Sequence, residues 1–128
     1  MKKKNTRKIG EDYCKEAIEI CQKYGHKCDG PFHKVQFVHG RMRKVHNDIF
    51  GVFDFISVDP LGQIFLHQVT SSNMKSNKVK KINSSGIKGV LWTYGHVCGG
   101  TIGPFRIYQV FPENVLELEI EDGRFIEK

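Results

Sequence analysis

Between Asn47 and Ser71 the chain reads N-D-I-F-G-V-F-D-F-I-S-V-D-P-L-G-Q-I-F-L-H-Q-V-T-S, two β-branched and aromatic runs about a turn at Asp59-Pro60-Leu61-Gly62. Runs of this kind form strands, and an Asp-Pro pair followed by glycine closes a turn between them. If Val58 and Ile64 face one another across that turn, antiparallel pairing sets Asp54 opposite Gln68 and Val52 opposite Thr70. Side chains alternate faces with period two, so Asp54, Gln68 and Thr70 are expected to converge at the open end of one hairpin. Polar groups that end otherwise apolar strands, gathered in one place, point to a site.

The remaining pattern places this hairpin inside a single α/β domain of 128 residues, with a basic tail over 1–8 and an acidic segment over 113–128. A chain of this length buries roughly two-thirds of its unfolded surface in one core. Residues 9–24 read as an amphipathic helix with Tyr13, Ala17, Ile18, Ile20 and Cys21 on its apolar stripe and Gly25 as its stop. Phe32 to Val38 is expected to be a strand, and the basic stretch Gly40 to Asn47 a bend or turn. Asn77 to Ser84 reads as a short basic helix. Gly89 to Tyr94 and Pro104 to Phe111 read as strands, with glycines at 95, 99, 100 and 103 between them. The expected order is therefore α, β, β, β, α, β, β. Four cysteines include no C-x-x-C pair, so zinc-knuckle chemistry is poorly supported, and Cys14 and Cys21, on one helix face, read as core residues. His96 and Cys98 read as loop residues, and His67 is expected to face the core, opposite to Gln68.

Charge is unevenly placed. Residues 1–112 carry a net charge of +10 and residues 113–128 a net charge of −4. Such a basic body attracts polyanions, of which nucleic acid is the usual one. No apolar run reaches signal-peptide or membrane-span length, so an intracellular, cytoplasmic protein with no membrane partner is expected.

The Asn47–Ser71 segment resembles the PD-(D/E)XK nuclease superfamily, the restriction-endonuclease-like proteins that include Holliday junction resolvases. N-D-x-F-G-x-F-D followed by Q-V-T also looks like a subgroup of small phage and prokaryotic proteins. The resemblance follows the order of elements over roughly residues 9–112, with its specific motifs between Asn47 and Ile82. It implies a central mixed β-sheet flanked by helices, and a DNA endonuclease that uses Mg2+ (or Mn2+), with branched DNA as a candidate substrate. Asp54 matches the family's first aspartate, Gln68 its second acid and Thr70 its lysine. Gln68 keeps a hard oxygen without the charge, and Thr70 supplies no cation. Asp48 and Glu11 (or Glu16) are then candidates for the missing carboxylate, and Lys81 for the missing lysine. Arg41, Arg43, Lys44, Lys75 and Lys78 are candidates for phosphate contacts. DNA is the implied partner, with RNA as a variant, and a homodimer would let two strands be cut. The alternatives are a non-hydrolysing nucleic-acid-binding module of the same fold, or an RNA-binding or assembly protein.

Overall fold

The computed structural model of the chain describes residues 6–95, 105–112 and 114–128. Its elements are α1 (Thr6–Lys23), β1 (Lys27–Asp29), β2 (His33–Val38), β3 (Arg41–His46), β4 (Phe55–Val58), β5 (Ile64–Ser71), α2 (Lys75–Ser85), β6 (Gly89–Tyr94), β7 (Arg106–Phe111), β8 (Asn114–Glu121) and β9 (Arg124–Glu127). The Asp59 turn forms as its residues require. Asp59 Oδ1 accepts the N–H groups of Leu61 at 2.9 Å and Gln63 at 2.8 Å, and Gly62 takes a φ of 86°. The β4–β5 ladder then runs from Val58↔Ile64 to Phe55↔His67, in the expected register.

There the ladder stops, and Val52 does not reach Thr70. Phe50 and Gly51, at φ 54° and 70°, turn the chain back so that Ile49 and Phe53 exchange backbone hydrogen bonds of 2.8 and 3.0 Å. On its other side β5 pairs in parallel with β6, from His67↔Val90 to Ser71↔Tyr94, and α2 makes the crossover between them.

Seven strands form one mixed sheet in the order β1-β4-β5-β6-β7-β8-β9. Helix α1 covers one face through Cys14, Ala17 and Cys21, which pack with Phe55, Val90, Trp92 and Ile107. Helix α2 covers the other through Ile82, which packs with Val52, Phe53, Leu91, Tyr108 and Val110. All of β6 is buried, as a central strand sandwiched between two helical layers must be. A Cβ on Gly89 would lie 2.2 Å from Phe53 Cε1, so the first residue of β6 must be glycine. Helix α1 ends in a Schellman motif, in which His26 N–H reaches Cys21 O, Gly25 N–H reaches Gln22 O, and Gly25 takes a φ of 89°.

The strand inventory is longer than expected. Residues 41–46, expected as a bend or turn, form β3, which pairs with β2 in a separate two-stranded hairpin. Charge at alternate positions masked a strand whose faces are both largely exposed. β1 is too short to show a period. In β8, Leu116, Leu118 and Ile120 alternate with Glu117, Glu119 and Glu121, a period-two pattern that the acidic composition of the segment obscured.

A buried hydrogen-bonded chain crosses the sheet. Trp92 Nε1–H donates to His67 Nδ1 at 2.9 Å, which fixes the proton of His67 on Nε2, 2.7 Å from Ser57 Oγ. The Ser57 hydroxyl can then donate to His26 Nδ1 at 3.1 Å, and His26 Nε2–H donates to Gly123 O at 2.7 Å. A donor-only group stands at one end of this chain and an acceptor-only group at the other. Burial, and then the charge of His26, hold the His67 pKa down at about 3, from an ordinary 6.5. Between those values the unfolded chain binds a proton that the folded chain does not. This histidine therefore makes stability fall as pH drops from 6.5 towards 3. Ser57→Ala breaks the chain at its middle and should cost about 1–3 kcal/mol, read as a lower urea midpoint at unchanged slope. An unchanged midpoint would mean that the chain does not support the fold.

Candidate functional site

The break in the β4–β5 ladder puts Asp54 beside the carboxyl end of β5. Its N–H donates to His67 O at 2.7 Å, so Asp54 and Phe55 both address one residue of β5, as at a β-bulge. Its Oδ2 accepts the N–H of Val69 at 2.7 Å, the ladder position that β4 no longer serves. The carboxylate thus takes the place of a backbone carbonyl in the sheet. Ends of parallel strands at a crossover are where open α/β sheets bind ligands, and Asp54 lies at the β5–β6 example.

Both layers reach this carboxylate. Burial raises the Asp54 pKa to about 6 from 3.8. The Val69 N–H opposes the rise, Asp48 adds to it, and Lys78 and His46 counter it. Burial, followed by the charges of Asp54, Asp48 and Glu11, pushes the Cys14 thiol up to about 12, so Cys14 is a neutral wall of the site. Burial and then Asp54 also raise the Tyr94 phenol. Tyr94 stacks on Tyr13 of α1 at 3.8 Å between ring centroids.

Gln68 and Thr70 are buried and share the face of β5 that carries Leu66, under α2. Gln68 Nε2 donates to Val69 O at 3.1 Å, while its Oε1 is buried with no donor among the described residues. An orphaned acceptor of this kind is costly to bury and marks a place where a donor or a cation fits. Thr70 pairs in register with Thr93. His67 faces the α1 side, stacked on Phe55 at 4.3 Å, as expected.

The other candidates are spread around this centre. Lys78, half-buried on α2, is the lysine whose charge acts on Asp54, whereas Lys81 is exposed. The Lys75 ammonium sits 4.0 Å over the Tyr108 ring, a cation–π contact against the sheet. Arg41, Arg43 and Lys44 are exposed on β3. Asp48 is half-buried before the Ile49–Phe53 turn. Glu11 is exposed and stands with His33 and His46 rather than in a carboxylate cluster with Asp54 and Asp48. Glu16 is exposed, and its charge acts on Tyr13. His96 and Cys98 lie outside the described residues. His33 and His46 were missed because residues 40–47 were read as a bend. Read as a strand about the His39-Gly40 turn, they fall opposite each other.

No family model, no curated protein and no solved structure matches this chain. The donor set therefore has to be judged by its own chemistry. A carboxylate oxygen and an amide oxygen are hard ligands, the type Mg2+ and Mn2+ take, and the unmet Gln68 Oε1 fits such an ion. Asp54 and Gln68 are the residues that would hold it, with Asp48 as the nearby second carboxylate.

The raised Asp54 pKa carries a stability consequence of defined sign. The folded chain holds a proton on Asp54 between about pH 3.8 and 6 that the unfolded chain has lost, so this group lowers stability as pH rises through that window. Asn keeps an oxygen for the Val69 N–H without the buried charge. Asp54→Asn should therefore stabilise the fold at pH 8, by up to about 3 kcal/mol, with the gain vanishing near pH 4. Denaturation at both pH values measures it. Destabilisation at pH 8 would show that the ionised carboxylate serves the fold.

Proposed function

We propose that this chain is a metal-dependent nuclease with a restriction-endonuclease-like core, acting on the phosphodiester backbone of DNA at Asp54. The observation that carries the reading is the Asp54 carboxylate itself. Its hydrogen bond to Val69 is one that asparagine could accept without the cost of a buried charge. A charge retained against its desolvation cost, at the carboxyl end of a parallel strand pair, is the mark of a working carboxylate. A bound Mg2+ or Mn2+ would withdraw charge from the scissile phosphate and make a water more acidic.

The chain's own residues supply the rest. Asp54 and Gln68 offer oxygens, and Gln68 is held in place by its bond to Val69 O. Lys78, rather than the exposed Lys81, is placed to meet negative charge developing near Asp54 and so to fill the role that Thr70 cannot. Arg41, Arg43 and Lys44 on the hairpin present cations for backbone phosphates, which position a duplex without reading its sequence. A second reading, a binding module without hydrolysis, draws on the same page. Gln68 and Thr70 are both uncharged, which leaves Asp54 the only carboxylate among the three matched positions.

Incubation with branched, single-stranded and duplex DNA, in Mn2+ or in EDTA, separates the two readings. Product is expected with Mn2+ alone, whereas tight binding without product would favour the module. Asp54→Asn should abolish cleavage while leaving affinity intact, because removing a negative charge does not weaken phosphate binding. Lys78→Ala should lower turnover by on the order of 10²-fold at saturating DNA. Lys81→Ala should instead reduce the salt slope of binding by about one charge. A full turnover rate for Lys78→Ala would remove that lysine from the chemistry.

A further inference from the structure

The hairpin β2–β3 shares no ladder with the main sheet. Its apolar side chains do not anchor it either, since Val35 is 63 %, Phe37 71 % and Met42 68 % exposed. A lone two-stranded hairpin is at best marginally stable in water, so something at its base has to hold it.

At that base His33 and His46 are direct cross-strand partners, with ring centroids 4.8 Å apart. Glu11 of α1 comes to meet them, its Oε1 3.7 Å from His46 Nε2. One ligating atom from each of the three residues lies within 4.8 Å of the other two. An exposed carboxylate–imidazole pair contributes only about 0–1 kcal/mol, which is a weak tie. Two imidazoles and a carboxylate are, by contrast, a donor set that suits Zn2+ and neighbouring divalent transition metals, whereas Mg2+ prefers oxygens alone. Ligands about 2.0–2.2 Å from a tetrahedral ion stand about 3.3–3.5 Å from each other. Small rotations of three surface side chains close that difference. Glu11 and His33 also line a cleft of about 600 Å3 between α1 and the hairpin, with Lys15, Gly30, Pro31 and Lys44.

We propose that Glu11, His33 and His46 bind a divalent transition metal, Zn2+ first, which fastens the β2–β3 hairpin to α1. The ligands come from α1 and from the two strands of the hairpin, and no strand ladder joins helix to hairpin, so the ion adds a tie between them. A fourth coordination position stays open to water. The site uses neither Asp54 nor Gln68 and stands whether or not the chain is a nuclease.

The test uses the tag-free full chain, stripped with EDTA and free of DNA. Titration with Zn2+ by calorimetry, and with Co2+ by its four-coordinate d–d absorption, should show one site. His33→Gln and His46→Gln should each weaken it by about 100-fold or more, since loss of even an outer-shell partner costs about 10–100-fold. Hydrogen exchange of the amides of residues 34–45 should slow when Zn2+ is added to the wild type and stay unchanged in His46→Gln. Binding that survives both histidine substitutions would place the ion elsewhere and overturn the site. Binding at the site without slower hairpin exchange would overturn its fastening role.

Discussion

The architecture turns on a side chain that takes over from a strand. At Asp54 the backbone leaves the β4–β5 ladder, and its carboxylate accepts the Val69 N–H that the departing strand would have met. A buried, unmet N–H costs about as much as a lost hydrogen bond, so without this substitution β4 would have to run on and seal the sheet edge. With it, β5 extends past its β4 partner to Ser71 while β6 still pairs on the other side. One carboxylate therefore both ends the β4 pairing and lies at the break.

The break at Asp54 has to be held by a sheet that does not slip. Slipping β5 by one residue against its neighbours would move His67 off Phe55 and exchange its faces. The chain from Trp92 through His67, Ser57 and His26 to Gly123 opposes this, because it joins β6, β5, β4, the end of α1 and the β8–β9 turn. Buried polar links of this kind add modestly to stability and more to uniqueness, since a shifted register would leave several of them unpaired at once. The aromatic rings around it, Phe55, Phe65 and Phe125, keep water from replacing any link.

The elements set by strong local patterns were legible in the sequence. The Asp59-Pro60-Leu61-Gly62 turn determined the hairpin register to the residue, and the apolar stripe of α1 with Gly25 located that helix and its end. The expected register holds from Val58–Ile64 to Phe55–His67, but the expected pairings Asp54–Gln68 and Val52–Thr70 do not form, because Asp54 turns its N–H to His67 O. Alternation alone cannot foresee a bulge-like step, which depends on the left-handed turn at Phe50 and Gly51 just upstream. Period-two reasoning did place Gln68 and Thr70 together on one face, and both are buried there. Four strands went unread: β1 and β9 are too short to show a period, and in β3 and β8 the charged residues hide the alternation of the apolar ones. The pairing of His33 with His46 was lost with β3, since two histidines thirteen positions apart meet only once both flanks are strands.

Sheet order also decides what a charged partner experiences. The acidic side chains Glu117, Glu119, Glu121, Asp122 and Glu127 belong to β8, β9 and their turn, at one edge. The basic hairpin follows β1, the strand at the other edge. The sheet folds back far enough for the two ends to touch, since His26, just before β1, donates to Gly123 O of the β8–β9 turn at 2.7 Å and Phe125 of β9 packs on Phe65 of β5 with ring centroids 5.0 Å apart. The Asp54 end carries charge of both signs, with Arg41, Arg43, Lys44 and Lys78 set among Glu11, Asp48 and Asp54. β9, at the far edge, is only four residues long and carries one charge of each sign, Arg124 and Glu127. Attraction of a polyanion at the Asp54 end rests on the exposed cations of β3, whereas Asp48 and Asp54 are half-buried and present less of their charge to solvent.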